Sequence, residues 1–475
     1  MDFRLLLPAA VVWSTTATGL AAPVGVTIGL AIMSALIALS GAALSGAALC
    51  GVAACGTRRL GWDAVGLVVV AAGLAAVCAT SLAVRQEIRA DHPLTDGTSK
   101  ATVVMTLRSD PTVIGRPGQG RVRVQADTEQ VGDRGVSPAR VEVMGDAQAW
   151  AGLLPGQRVI AVVRVRPPPP RSLLVATLTA QTPKLVGGPP AYQRGAGAVR
   201  ERLRLLAARG LNPESAGLLP GLVLGDESMF DEDLREDFRD AGLSHLTAVS
   251  GANFAIVCGA ALLIVRSVGV PPRAAAVVGL VVIVGFVALV RPSPSVLRAA
   301  LMGAVGVFAL FASRRSQAFP ALGAAVIGGL LWWPELALEP GFALSVAATW
   351  AIVLWAPRLR DRLRQWHFPS GVAEVVAMAV TAQLVTAPIV VLVTGQFSVV
   401  GVVANLLVAP VVAIISVVGT SAALIGALGP PDGVGALVAE LLIRALAPEL
   451  WWMVACAQTL GGVDWASVDV PSPFG

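Results

Sequence analysis

The stretch Gly242-Leu-Ser-His-Leu-Thr-Ala-Val-Ser-Gly-Ala-Asn-Phe254 sets His245, Ser250 and Asn253 at the mouth of an apolar run that continues to Val265. Polar side chains at the edge of a hydrocarbon-length segment are costly there, so they face a protein interior or a water-filled path. The rest of the chain has the same character. It is 55% hydrophobic and only 14% charged, with a mean hydropathy of +0.74. That composition excludes an ordinary soluble domain of this length. Several runs reach the roughly 20 residues needed to cross a bilayer core, so the chain reads as a polytopic α-helical membrane protein.

The first region, residues 1–84, holds three apolar stretches: Leu5–Leu20, Val24–Cys55 and Ala64–Val84. More apolar runs follow the first one at once and no cleavage site stands out, so it reads as an anchor rather than a leader. Thr57-Arg-Arg59 separates the second from the third. The positive-inside rule makes those arginines and the N-terminus cytoplasmic and sends Ala64–Val84 outward. Cys50, Cys55, Cys78, Cys258 and Cys456 all lie in apolar runs without metal-ligand spacing to a histidine, and read as small buried hydrophobes.

Residues 98–185 change character. Short alternating segments at Ala101–Leu107, Gly120–Gln125, Arg140–Val143, Arg158–Val165 and Leu173–Thr179 are divided by Gly, Pro and Asp clusters. Period-two alternation between turn signals predicts strands, and about five of them fit a small inserted β-barrel of OB-like type. The topology above places this domain outside the cytoplasmic membrane. Twelve basic residues against six acidic ones leave it about +6, which suits a phosphate backbone. Arg121, Arg123, Arg164 and Arg166 are the candidate DNA contacts, although Trp150 is its only aromatic and base-stacking platforms normally use several.

Residues 195–241 read as amphipathic interfacial segments. Val199–Gly210 separates leucines and alanines from arginines, the pattern of a helix lying on a membrane surface. Asp226 and the acidic helix Met229–Asp240 read as a solvated face.

Residues 242–460 form the membrane core, with 461–475 as a tail. Apolar runs fall at Leu246–Val265, Ala274–Val290, Val296–Ala312, Ala318–Trp333, Phe342–Trp355, Val372–Val393, Val399–Leu428 and Val434–Ala455. Arg266 with Arg273, Arg314 with Arg315, and Arg358, Arg360, Arg362 and Arg364 all become cytoplasmic if the first run enters from outside, in agreement with an external barrel. Arg291-Pro-Ser-Pro-Ser-Val-Leu-Arg298 puts two arginines on the outer side. Prolines there break helices, and broken helices in membranes line cavities or are buried in protein. Arg298 is the leading candidate for a phosphate contact, with a structural or snorkelling role as its counterpart. Gln383 and Asn405 sit within apolar runs, where helix-to-helix hydrogen bonding competes with a place on the substrate path.

The central stretch, Leu219–Asp226, Ser295–Met302, Pro340–Ser345, Gln383–Pro388 and Ala404–Pro410 together resemble the ComEC competence proteins, inner-membrane channels that bring single-stranded DNA into bacteria. The resemblance implies an OB-like domain where the strands occur and a pore-lining or helix-packing role for Ser250 and Asn253. It also implies work with a DNA receptor, a cytoplasmic ATP-driven helicase or translocase and the lipid bilayer, with homo-oligomerisation open. Many full-length relatives continue into a metallo-β-lactamase-like domain whose His-x-His-x-Asp-His cluster binds metal. This sequence has only His92, His245 and His367, far apart, so a separate nuclease is expected and no metal or other cofactor. No Gly-x-x-x-x-Gly-Lys loop occurs. His245 and Ser250 as base and nucleophile lack an orienting acid, and no catalysis is expected. A transporter of another polyanionic or lipid-linked envelope substrate, or an inactive truncated relative, are the alternatives.

Overall fold

The computed structural model describes residues 5–51, 59–95, 100–114, 120–247, 249–311, 318–463 and 465–469. Cys55, Thr57, Arg58, Arg116, Arg314 and Arg315 lie outside the described residues. The chain divides into two compact units, one of Asp2–Gly195 with Val326–Leu338 and one of Ala196–Ala325 with Glu339–Gly475.

The first unit opens with α1 (Leu6–Ala21), α2 (Val24–Gly51) and α3 (Arg59–Ala90). Small residues let α1 and α3 approach closely, as in lipid-embedded bundles: a methyl group on Gly19 would lie 2.7 Å from Leu82 Cδ2. The Gly19 carbonyl accepts from Gln86 Nε2 at 2.9 Å.

The strands follow as β1 (Lys100–Leu107), β2 (Thr112–Ile114), β3 (Arg121–Val131), β4 (Arg134–Gly135), β5 (Arg140–Asp146), then the one-turn α4 (Ala147–Trp150), β6 (Arg158–Arg166), β7 (Ala176–Ala180) and β8 (Lys184–Gly187). Pairing runs β1-β3-β5-β7-β6, and β6 returns to β1, so five strands close into a barrel. β5 and β7 run parallel and the other barrel pairs antiparallel. Closure removes the free edges of these five strands. Inward positions such as Val103, Met105, Val122, Val124, Val141, Val143, Val159, Val163 and Leu178 form the core with Trp150. Trp150 is fully buried over Gly145 and donates from Nε1 to the Gln181 carbonyl at 3.1 Å, so the barrel's one aromatic is a core residue. The five strands expected from alternation are all present, and β2, β4 and β8 are additions that alternation did not mark.

In the same unit the barrel is tied to membrane helices. Arg89 Nη1 donates to the Ser172 carbonyl at 2.6 Å. Arg140 Nη1 lies 2.6 Å from Glu335 Oε1, on a 3₁₀ turn (Pro334–Leu338) that follows α12 (Ala318–Trp332). Trp13 Nε1 donates to the Ala337 carbonyl of that turn at 2.9 Å.

The linker helix α5 (Ala191–Gly210) leads to the second unit, with α6 (Pro213–Leu224), α7 (Glu232–Asp240), α8 (Ser244–Thr247), α9 (Gly251–Ser267), α10 (Pro272–Val290), α11 (Pro294–Phe311), the first half of α12 (to Ala325), α13 (Pro340–Gln365), α14 (Ser370–Thr394), β9 (Gln396–Ser398), α15 (Gly401–Gly426), α16 (Val434–Ala445), α17 (Ala447–Gly461) and β10 (Ser467–Asp469). Among the described residues, five helices are long and apolar enough to cross a bilayer: Val65–Ala90 of α3, α10, α13, α14 and α15. The protein is a multi-pass membrane protein.

Three expectations are corrected here. The run Leu246–Val265 is not one helix, because α8 ends at Thr247 and α9 starts at Gly251. The run Val434–Ala455 is split into α16 and α17, each shorter than a span requires. The segment Val199–Gly210 does not simply lie on a surface. Its Arg200, Leu203, Leu206 and Ala207 are buried, and its apolar side packs with α6, α15, α16 and α17 in the largest hydrophobic cluster.

Candidate functional site

All ten residues of α6 from Ser215 to Leu224 are buried. Twelve residues rise only about 18 Å, too little to cross a bilayer, so α6 enters the helix cluster and stops inside it. It stops at Gly225, whose φ of 66° is left-handed and free of strain only for glycine. A methyl group on Gly225 would lie 3.5 Å from Val249 Cγ2 and 3.7 Å from the Val290 carbonyl. Three helix breaks therefore converge: the end of α6, the α8–α9 junction and the α10–α11 junction. At the last of these Arg291 has φ 77° and its N–H donates to the Val287 carbonyl. Interrupted helices meeting inside a membrane protein present backbone ends to a protein-lined interior.

Arg200 of α5 reaches this point. Its Nη1 donates to the Leu224 carbonyl at 2.6 Å and to the Leu289 carbonyl at 3.3 Å, so one guanidinium holds the C-terminal ends of both α6 and α10. Asp226 Oδ2 lies 3.7 Å from Arg200 Nη2 and 3.3 Å from Arg204 Nε. Its Oδ1 accepts from the Ser228 N–H at 3.2 Å. Asp226 is 7% exposed, which corrects its reading as part of a solvated face. Asp231, Glu232, Asp233 and Glu236 are exposed as expected.

At the start of α9 the Ser250 hydroxyl accepts from the Asn253 N–H at 3.1 Å, an N-cap. Asn253, 2% exposed, donates from Nδ2 to the Leu222 carbonyl of α6 at 3.3 Å. Ser250 and Asn253 thus fasten α9 to α6. Next to this N-terminus is Arg298: a methyl group on Gly251 would lie 2.6 Å from its Nη2. Arg298 is 8% exposed. Its Nε donates to Ser345 Oγ at 2.6 Å and its Nη1 to Thr349 Oγ1 at 2.8 Å, while Met302 Sδ sits 3.3 Å from Nη1. Among the described residues no carboxylate pairs with it. A buried guanidinium satisfied by hydroxyls keeps its charge uncompensated, and the partial positive end of α9 adds to it. This corner favours an anion.

The other nominated residues are elsewhere. His245 is exposed on α8. Gln383 on α14 places its Nε2 against Gly401, at the start of α15. Asn405 donates to the Gly401 carbonyl of its own helix at 2.8 Å. Arg121, Arg123, Arg164 and Arg166 are exposed on the barrel. The register sets Arg123 opposite Met144, Met144 opposite Thr179, Thr179 opposite Arg164, and Arg164 opposite Lys100. Three strand steps put Arg123 and Arg164 about 14 Å apart on one outer face. Arg108, Arg140 and Arg158 are taken up in ion pairs.

Sequence reasoning missed Arg200, Asp226, Ser345 and Thr349 as members of the site. The one available signal was a lone arginine in register with the apolar face of α5.

The family model described as Competence protein matches residues 222–475, just over half of the chain. ComE operon protein 3 of Bacillus subtilis (strain 168) is 28% identical over 200 residues, covering 42% of this chain and 25% of that protein. The chain therefore spans about a quarter of the length of that curated relative. No solved structure matches. The match takes in α9 to α17 and begins at Leu222, within the buried half-helix that Asn253 holds, and the chain belongs to the competence protein family, of ComEC type.

Proposed function

We propose that this chain is the membrane channel through which single-stranded DNA enters the cytoplasm during natural transformation. The carrying observation is the buried Arg298, without a carboxylate partner among the described residues, beside the N-terminus of α9 at a point where three helices break. A strand carrying one charge per nucleotide needs such relief from hydrocarbon. Phosphates pass Arg298 one at a time, the Ser345 and Thr349 hydroxyls trading partners as they do. Ser250, Asn253 and Arg200 act as positioning residues that hold the helix ends in place.

The barrel has the strand order of an OB-fold, and we assign it to that class, outside the cytoplasmic membrane. Support comes from α3: Arg58 and Arg59 precede its apolar span Val65–Ala90 in sequence, and the barrel strands follow it. Positive-inside bias then puts the barrel on the far face. Its outer row of Arg123, Arg164 and Lys100, with Arg121 and Arg166 beside it, contacts the phosphate backbone. A receptor delivers the DNA, a separate nuclease removes one strand, and a cytoplasmic ATP-driven motor pulls the other; the chain itself performs no chemistry on DNA.

The test is uptake of end-labelled duplex into DNase-resistant cytoplasmic material in wild type, a deletion strain and the complemented strain. Loss on deletion with rescue is expected. Unchanged uptake in the deletion strain overturns the reading in favour of another polyanionic cargo or an inactive relative.

A further inference from the structure

α13 runs for 26 residues, about 39 Å, although its apolar part ends at Trp355. Its last turns carry Arg358, Arg360, Arg362 and Arg364, and the chain then reverses through Trp366, His367 and Phe368 into α14. His367 turns the backbone with a φ of 64°. The two helices pair through Ala356 and Leu363 against Ala373 and Ala377. Counted back from this common turn, the arginines are level with the first two turns of α14. That helix shows an exposed Val372 there and an exposed Met378 just beyond. Exposed apolar side chains on two sides of a helix are what lipid covers, so the arginines stand at headgroup depth rather than in open water.

The charge is not consumed locally. Arg360 donates to Asp361 Oδ1 from Nε at 3.0 Å and from Nη2 at 2.9 Å. Among the described residues no carboxylate pairs with Arg358, Arg362 or Arg364, and exposed Glu374 is the acid facing solvent on the α14 side. Four arginines against Asp361 and Glu374 leave a net +2 at the turn. Trp366 is 70% exposed and Phe368 43% exposed. Exposed aromatics beside arginines that no described carboxylate pairs are costly in water and favoured at a membrane interface.

We propose that the α13–α14 turn binds the phosphodiester headgroups of anionic phospholipids, with Arg358, Arg362 and Arg364 contacting phosphate and Trp366 and Phe368 seated among the upper acyl chains. A nucleic-acid strand would also suit the arginines, but it leaves Val372 and Met378 uncovered, and the apolar faces favour lipid.

The test uses the purified full chain in detergent and native mass spectrometry with phosphatidylglycerol or phosphatidylcholine of matched acyl chains. Wild type is compared with a variant carrying R358Q, R362Q and R364Q and with one carrying lysine at the same three positions. Phosphatidylglycerol adducts should exceed phosphatidylcholine adducts several-fold in wild type and in the lysine variant, and fall to parity in the glutamine variant. A poly-thymidine oligonucleotide should leave them unchanged. Equal binding of both lipids by wild type, a preference that survives the glutamine changes, or displacement by the oligonucleotide overturns the proposal. Should the triple glutamine variant not fold, each single glutamine variant is read instead, and no loss in any of the three overturns it equally.

Discussion

Arg298 donates from Nε to the hydroxyl of Ser345 at 2.6 Å, across the α11–α13 contact, with no carboxylate among the described residues to balance its charge. Burying a cation costs several kcal/mol unless an anion or dipoles offset it. Two hydroxyls supply part of that offset and a passing phosphate would supply the rest. Arg298→Gln keeps hydrogen-bond donors for Ser345 and removes the charge. Transformation should fall about tenfold or more, the equivalent of losing one charged hydrogen bond, while immunoblots show near-normal protein. Normal transformation in that strain removes Arg298 from the path.

The barrel's seat is a second test. The Arg140–Glu335 pair has side-chain exposures of 19% and 29%, between the exposed regime and the fully buried one. Breaking it by Glu335→Gln should cost about 1–2 kcal/mol, read as faster protease cleavage in the strands at unchanged far-UV signal. The charge-swapped double variant, R140E with E335R, should recover much of the loss. Equal sensitivity of single and swapped variants would mean that shape, not charge, holds this seat.

His92 gives a pH dependence with a definite sign. It is 3% exposed. The Leu94 N–H donates to Nδ1 at 3.3 Å, so the proton is assigned to Nε2, which meets Thr128 Oγ1 at 3.1 Å. Burial pushes this imidazole below its ordinary 6.5, so the unfolded chain takes up the proton first. The stability contribution is complete above pH 6.5 and declines as the pH falls below it, by at most about 1.4 kcal/mol per unit. The barrel's melting temperature should drop on acidification from pH 7 to 5, and His92→Gln should flatten that slope. An identical slope in the variant would assign the acid sensitivity to the carboxylates.

Asn253 and Leu222 test the fastening of α9 to α6. Asn253→Ala should leave the Leu222 carbonyl without its side-chain donor, at about 1–2 kcal/mol, and Ser250→Ala should remove the N-cap at about 1 kcal/mol. Both should lower protein level or melting temperature more than they lower transport per molecule. The reverse ratio would place these side chains on the substrate path itself.

What the sequence made legible follows from which signals are local. Apolar runs mark helices because hydropathy is additive along the chain. Alternation marked the five barrel strands because each has one wet face. The α16–α17 split had a local sign that mean hydropathy smooths over: Arg444 stands in the last turn of α16 and Pro448 in the first turn of α17. Arg200 was read outward because arginine mostly is. Only the free carbonyls at Leu224 and Leu289, far apart in sequence, explain why it points inward. The parallel β5–β7 pairing that closes the barrel likewise has no local signature.

The ion pair between Arg140 and Glu335 joins positions 195 residues apart. At about 5–20 residues per second, a ribosome needs roughly ten to forty seconds to pass from one to the other. The last of the five barrel strands ends at Ala180, so over the remaining 155 residues to Glu335 the whole barrel has been made while its carboxylate anchor has not. Of the barrel ties described, the Arg89–Ser172 bond to α3 can form in that time, and the seat is completed when the turn after α12 arrives. Assembly of this protein is ordered in time, and Glu335 is the residue that ends the wait.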